Sequence, residues 1–474
     1  MIVSPSTNTG DPQAPPDRAP AEEGVFGASH RALSAGVLLS VGMVAFESLG
    51  VATILPGVAG DLHGLGSYGW GLSALMLANI VGTVLAGRSA DRGGPRRPMA
   101  AGMLVFAVGC AVAGAAPDWP VFLGGRVLQG LGVGAVMATA YTLIGLAYPE
   151  RLQARMFALL SSAWTLPSLV GPVVAGTLSD AVSWRAVFVL VPPITLLAAA
   201  LTLPAMGRPP APSAPAPDAA GAVSWWRRPL TASVRLTLGT GLLLQGLLLD
   251  DPVRLAVVAV AGLVVAVPAL RLVTPDGTLG ARPGLGAGVA VRALLCGAYF
   301  GSEAFLPLGL QELRGMGATE AGLGLSAGAI TWVAGSAFQA RRDSGRVAAT
   351  AAGFAVLLGG VVLTGAAVVT SAVPSWIAVL GWAVAGLGMG VAFNASTTAA
   401  LQPVPAARQG QASAALQLAQ TLSTALVAGL GGAAVAAAGH TSALSSRGAL
   451  LLLFAFTALL ALAGTLLSRR LTPR

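Results

Sequence analysis

The chain has 474 residues, 55% of them hydrophobic and only 9% charged, with a formal net charge of +9, whereas a soluble domain carries about 25% charged residues. No soluble fold of this length hides so much apolar surface behind so few charges. The apolar residues come in blocks of about 20, enough to cross roughly 30 Å of hydrocarbon, so an all-α polytopic membrane protein with the lipid bilayer as its solvent is expected.

All 27 basic residues are arginine. Missing lysine excludes a GxxxxGK[ST] nucleotide loop and a retinal Schiff base. The arginine usage itself reads as GC-rich coding rather than phosphate binding.

Residues 1–30 contain prolines, Asp11, Asp17, Glu22 and Glu23 without an apolar core, which predicts a disordered cytoplasmic tail rather than a cleaved signal peptide. Six spans are then expected at 32–59, 68–87, 98–116, 120–147, 156–179 and 186–206, forming an N-terminal half over 31–207. The run PPAPSAPAPDAA within 208–229 predicts a flexible cytoplasmic linker. Residues 230–284 read as an inserted hairpin with helices at 230–249 and 253–273, plus a loop. Arg235 must snorkel if the first of these helices spans, and a flat or re-entrant hairpin is the alternative. Six further spans, at 286–311, 320–340, 347–370, 375–402, 409–437 and 448–468, make a C-terminal half over 285–470 and a total of fourteen.

Loop charges alternate. One set of loops carries Arg88, Arg92, Arg96, Arg97, Arg151, Arg155, Arg271, Arg282 and Arg341; the other carries Asp61, Asp118, Asp180, Asp250, Asp251 and Glu312. By the positive-inside rule the arginine-rich end and both termini are expected in the cytoplasm, with the protein in the inner (plasma) membrane. The pI of about 11.0 is then a topology signal, and no nucleic-acid partner is expected. Cys110 and Cys296 fall inside spans as small packing residues, so no disulfide is implied.

The chain also repeats. A shift of 256 places Gly130-Leu131-Gly132-Val133-Gly134 on Gly386-Leu387-Gly388-Met389-Gly390, Pro149 on Pro405 and Glu47 on Glu303; a shift of 253 places Gly82 on Gly335 and Arg88 on Arg341. Two homologous six-helix halves separated by the hairpin account for the order and near-constant offset. Duplication of this kind is typical of secondary transporters, whose substrates bind near the midplane between halves.

The loop Gly87-Arg88-Ser89-Ala90-Asp91-Arg92-Gly93-Gly94-Pro95-Arg96-Arg97 places a carboxylate and several guanidiniums at a helix junction, where charge–dipole and ion-pair contacts can latch one conformation. It resembles the GxLaDrxGrk signature loop of the major facilitator superfamily at Gly87, Ala90, Asp91, Arg92, Gly94 and Arg96, and departs at Ser89 and Pro95. Arg126-Val127-Leu128-Gln129-Gly130-Leu131-Gly132 resembles that superfamily's RxxQGxG pattern. The resemblance implies that Arg126 assists proton transfer, while snorkelling to the outer headgroups is the structural alternative. Gly130 and Gly134 let a neighbouring helix approach closely. Gly171-Pro172-Val173-Val174-Ala175-Gly176 is similar to the GPxxGG antiporter motif with one glycine replaced and Pro167 where an upstream glycine is usual. Trp184-Arg185-Ala186-Val187-Phe188 resembles the WRxxF opening of drug exporters. The stretch from Glu47 to Leu55-Pro56 is similar to one in fourteen-span drug–proton antiporters, with Glu47 where an aspartate is usual and Leu49 where a threonine is. Together these imply the major-facilitator fold and proton-coupled antiport.

Glu47 lies midway between Arg31 and Asp61, and Glu303 midway between Arg292 and Glu312, near the bilayer centre. Ionisable residues there mark a substrate or proton path by default, and desolvation disfavours a charged carboxyl; a protonated packing residue is the alternative. Gln129 lies beside the Arg126 motif and is counted with the cavity. Asn394, Gln417 and Gln420 also fall in spans and either line a cavity or bond between helices. Phe46, Tyr141, Trp164, Tyr299 and Phe393 are candidates for an apolar substrate wall, with lipid contact or packing the alternative. His30, His63 and His440 are far apart and outside the hydrocarbon, so no metal site or intramembrane enzyme is expected. The expected function is export of lipophilic or cationic small molecules such as drugs, or else of a lipid or endogenous metabolite, by a monomer whose only coupling ion is the proton and which needs no cofactor.

Overall fold

The structure, a computed structural model, describes residues 24–206, 228–249, 251–341, 345–440 and 445–471. The tail before Gly24, most of the 208–229 linker and Asp250 lie outside the described residues.

Fifteen α-helices account for nearly all of what is described: α1 Arg31–Asp61, α2 Trp70–Gly93, α3 Arg96–Gly114, α4 Trp119–Ala147, α5 Glu150–Ala181, α6 Trp184–Ala205, α7 Pro229–Gly246, α8 Pro252–Val273, α9 Leu285–Glu303, α10 Leu306–Glu312, α11 Ala318–Ala340, α12 Arg346–Val369, α13 Trp376–Leu401, α14 Ala406–His440 and α15 Ser446–Leu467. Twelve segments are long and apolar enough to cross a membrane, α9 and α10 counting as one. The remaining two helices, α5 and α7, complete the expected fourteen. α7 is the weaker of the two because it holds Arg235 among threonines; α5 carries no charged residue over 156–179.

The span expected over 286–311 is broken at Ala304–Phe305. Pro307 is the cause, because its ring has no N–H and clashes with the carbonyl four residues back, here that of Glu303. Residues 24–30, expected as part of the tail, instead form turns: Val25 is buried and its carbonyl accepts from Ser34 Oγ at 2.6 Å, and His30 lies 5.1 Å from the Tyr148 ring.

The helix caps explain why one end of the bundle is acidic. There Asp118 accepts from Val121 N at 2.9 Å to cap α4, and Asp251 accepts from Arg254 N at 2.7 Å to cap α8. Carboxylates at helix N-termini satisfy free N–H groups and oppose the positive dipole end.

Within the N-terminal half α4 packs on α2 and α3, and α1 on α5 and α6; within the C-terminal half α13 packs on α11 and α12, and α9 on α14 and α15. The glycine repeat acts identically in both. A Cβ on Gly130 would stand 2.2 Å from the Leu75 carbonyl oxygen of α2, and one on Gly386 2.1 Å from the Gly328 carbonyl oxygen of α11. Only glycine permits so close a backbone approach.

The halves meet along two seams, α5 against α11 and α2 against α14. The repeat pairs α2 with α11 and α5 with α14, so a pseudo-two-fold axis exchanges the seams. The α7–α8 hairpin lies outside the second seam: Thr237 Oγ1 donates to the Leu77 carbonyl of α2 at 3.1 Å, and Leu244 rests on Gly429 of α14.

Candidate functional site

The inter-half contacts concentrate at the acidic end. Ser73 Oγ donates to the Ala425 carbonyl at 2.9 Å, Ser326 Oγ to that of Leu169 at 2.7 Å and Gln311 Nε2 to that of Thr53 at 3.1 Å. Asp180 of α5 accepts from both Thr319 N (2.9 Å) and Thr319 Oγ1 (2.6 Å), capping α11 from the opposite half. One apolar core runs through both halves here, with Tyr68 and Phe305 5.4 Å apart. Toward the arginine-rich end the halves keep separate cores. The molecule is closed at its acidic end.

The antiporter-like stretch contributes directly to that closure. Pro172 presents its carbonyl to Gly322 of α11, and Gly176 lies against the Ala318 carbonyl. Gly171, one residue earlier, faces Phe46 of α1.

A buried ionic cluster occupies the N-terminal half. Arg126 lies seven residues into α4, roughly 10 Å from its start, and donates through Nη1 to Glu47 Oε1 of α1. Arg126 Nε donates to the Gly71 carbonyl of α2 at 2.8 Å, and Nη1 also reaches Gln129 Oε1 at 2.8 Å. Gln129 Nε2 in turn donates to Cys110 Sγ of α3 at 3.2 Å. Three helices, α1, α2 and α4, thus meet at one guanidinium, and Gln129 ties α3 to it. A lone arginine at the centre of a span costs about 2.5–3.5 kcal/mol on insertion scales; the Glu47 carboxylate and two further acceptors offset that. Glu47 Oε2 is buried and has no partner.

Glu303, the repeat's counterpart of Glu47, is 8% exposed and makes no hydrogen bond or ion pair among the described residues. The reason lies in α13: the position matching Arg126 is Trp382, which stacks on Tyr299 with centroids 4.6 Å apart. The two carboxyls occupy equivalent places in unlike surroundings.

The other candidate residues are scattered. Tyr141 (51% exposed) and Trp164 (37% exposed) are open, Phe46, Asn394 and Gln420 are half-buried, and Gln417 is exposed. Gln129 and Tyr299 are buried in helix contacts. The signature loop folds as a two-residue turn between α2 and α3. Gly94 takes φ +78° and ψ 166°, a region essentially restricted to glycine. Gly87 is half-buried and Arg92 and Arg96 are exposed, while the Asp91 side chain lies outside the described residues.

One residue went unrecognised in the linear sequence. Arg292, taken there as a flanking marker, is only 3% exposed within α9. Its guanidinium carbon lies 3.6 Å from the Phe393 ring centroid, Nη2 donates to Thr397 Oγ1, and buried Nε has no partner. Cation–π contact contributes about 2 kcal/mol when desolvated, less than the several kcal/mol that burying an unpaired ion costs. The signal was a four-residue face, Arg292, Cys296, Tyr299 and Glu303, at offsets of four, seven and eleven.

A family model for the Major Facilitator Superfamily matches residues 37–428. A Mycobacterium tuberculosis protein described as a "probable multidrug-efflux transporter" is 29% identical over 459 residues, covering 94% of this chain and 95% of its own length. Multidrug resistance protein 3 of Bacillus subtilis is 29% identical over 170 residues, covering 36% of this chain and 33% of its own. Among solved structures, an auto-inhibited POT family peptide transporter superposes with a TM-score of 0.66 at 17% identity, covering 92% of this chain and 97% of that one. A bacterial homologue of the lysosomal transporter Spinster, in an inward-facing and unoccupied conformation, gives 0.65 at 14% identity over 94% and 98%. Duplicated six-helix halves, two glycine seams and a family match across most of the length agree: the chain belongs to the Major Facilitator Superfamily.

Proposed function

We propose that this protein is a secondary active transporter of the inner membrane that exports lipophilic or cationic small molecules, such as drugs, in exchange for protons. The observation that carries the reading is the buried Glu47–Arg126 pair with its free carboxylate oxygen. A proton arriving at Oε2 neutralises Glu47 and loosens its hold on Arg126, which retains Gln129 and the Gly71 carbonyl. Gly71 belongs to the first turn of α2, between Gly69 and Ser73, and both of those touch α14 across the closed seam. Proton occupancy is therefore linked through one guanidinium to the contacts that must part when the acidic end opens. The full-length similarity to a multidrug-efflux protein supports the substrate class.

The test is purified protein in proteoliposomes with an imposed pH gradient and a panel of dyes, antibiotics and lipids. Gradient-dependent extrusion of a dye or antibiotic supports the reading. Movement of lipid alone, or transport indifferent to the gradient, refutes it.

With both termini in the cytoplasm, reporters fused at Asp276 and Asp251 should report cytoplasm and outside, respectively. A cytoplasmic reading at Asp251 would show that the α7–α8 hairpin does not span. For the signature loop, Asp91→Asn should slow turnover while leaving expression and substrate binding near wild type, because the loop latches a conformational step away from the site. Loss of binding with unchanged cycling would contradict that role.

A further inference from the structure

The C-terminal half holds a cation without an anion. Arg292 is buried, has no carboxylate partner among the described residues, and keeps one N–H directed at nothing. Its remaining contacts are neutral: the Phe393 face, the Cys296 thiol one turn along α9, and the Thr397 hydroxyl, which itself donates to the Phe393 carbonyl. The N-terminal half shows the contrasting solution, with Glu47 supplied to Arg126 from within the fold.

An apolar wall begins at the same place. Phe393, Trp332 and Phe300 are half-buried and form a row, with Phe393 and Trp332 5.6 Å apart and Trp332 and Phe300 5.8 Å apart. They come from α13, α11 and α9, whose far sides α12 and α15 cover. α11 also packs on α5 of the N-terminal half, so the row lies beside the interface between the halves. Arg292 sits at one end of the row, seven residues inside α9, roughly 10 Å along the helix from its start at the arginine-rich end.

We propose that Arg292 is the anion-binding subsite of the substrate site: it receives a carboxylate, sulfonate or phosphate group of a lipophilic molecule whose apolar body lies along Phe393, Trp332 and Phe300. A guanidinium with a free N–H offers a charged, directional bond to such a group, and the anion supplies the counter-charge that the fold omits. This rests on the transporter reading above and narrows its lipophilic substrates to those carrying an anionic head.

The test uses the full chain in phosphatidylcholine nanodiscs and two probes with the same ring body: 8-anilinonaphthalene-1-sulfonate and N-phenyl-1-naphthylamine, which lacks the sulfonate. After subtraction of empty nanodiscs, the sulfonate should bind about tenfold or more tightly than its parent, as a charge-assisted bond allows. Arg292→Gln should remove that preference while leaving parent binding unchanged, which also reports that the variant is folded. Should Arg292→Gln fail to fold, Arg292→Lys and Thr397→Val, which keep a cation but lose its planar fork or its positioning hydroxyl, should each cut the preference severalfold. Equal binding of the two probes by wild type, or an unchanged preference in all folded variants, overturns the proposal. Competition by added phosphatidylglycerol identifies a lipid headgroup as the anion, and lack of competition identifies a soluble substrate. Loss of gradient-driven export with an intact Arg292-dependent preference would sink the transport reading and leave the subsite standing; the reverse result would sink the subsite alone.

Discussion

Glu47→Gln is expected to reduce gradient-driven export to background and to make substrate binding insensitive to pH between about 5 and 8, because it removes the group that exchanges the proton. It should also lower thermal stability, since breaking one partner of a buried pair costs about 3–5 kcal/mol. The two effects separate in a double variant. Replacing both charges removes the uncompensated guanidinium, so Glu47→Gln/Arg126→Gln should recover most of the melting temperature and none of the transport. Glu303→Gln, which breaks no ion pair, should only weaken coupling or narrow the substrate range. Export at the wild-type rate by the folded Glu47→Gln protein would sink the coupling role. Recovery of transport in the double variant would show that only the charge balance mattered.

A second large effect is expected at the α5–α11 seam. A Cβ on Gly322 would stand 2.4 Å from the Pro172 carbonyl oxygen, and backbone on both sides leaves no flexible group to yield. Gly322→Leu should therefore prevent closure of the acidic end while leaving each half intact. Overpacking costs about 1–3 kcal/mol, which displaces a two-state equilibrium by roughly 5- to 150-fold. Spin labels on cysteines introduced at Thr177 and Glu320, with the native Cys110 and Cys296 buried, should report a longer distance, and export should fall in proportion. Gly57→Leu, with nothing within 4 Å of its added carbon, is the control. An unchanged label distance in Gly322→Leu would mean that the seam tolerates the side chain and is not the closing surface.

Much of this architecture was legible in the linear chain because a membrane imposes one rule on every span: the backbone must satisfy itself, so apolar blocks become helices. The glycine offset gave away the duplication, since the same backbone approach is needed in each half. The break after Glu303 was written in Pro307, but hydropathy alone reads straight through it. Contacts were harder. Glu47 and Arg126 are 79 positions apart, and each stood out singly as an intramembrane charge; nothing in their order says that they touch. Gln129 looked like a cavity residue because polar residues in spans usually meet water, yet its amide is taken up by Arg126 and Cys110. Arg292 was missed because an arginine near a span boundary resembles a topology signal, and only the packing of Phe393 above it shows that it turns inward.

The α7–α8 hairpin, finally, makes the two seams mechanically unequal. The α2–α14 seam carries α7, a helix from outside the two six-helix halves, bonded to α2 and wedged against α14, whereas the helix that touches both α5 and α11 is α1, a member of the N-terminal half itself. A motion that spread both seams alike would have to strip α7 from one neighbour. When the acidic end of the α2–α14 seam parts, α7 must travel with α2 through Thr237 and give up the seat of Leu244 on Gly429, or the reverse.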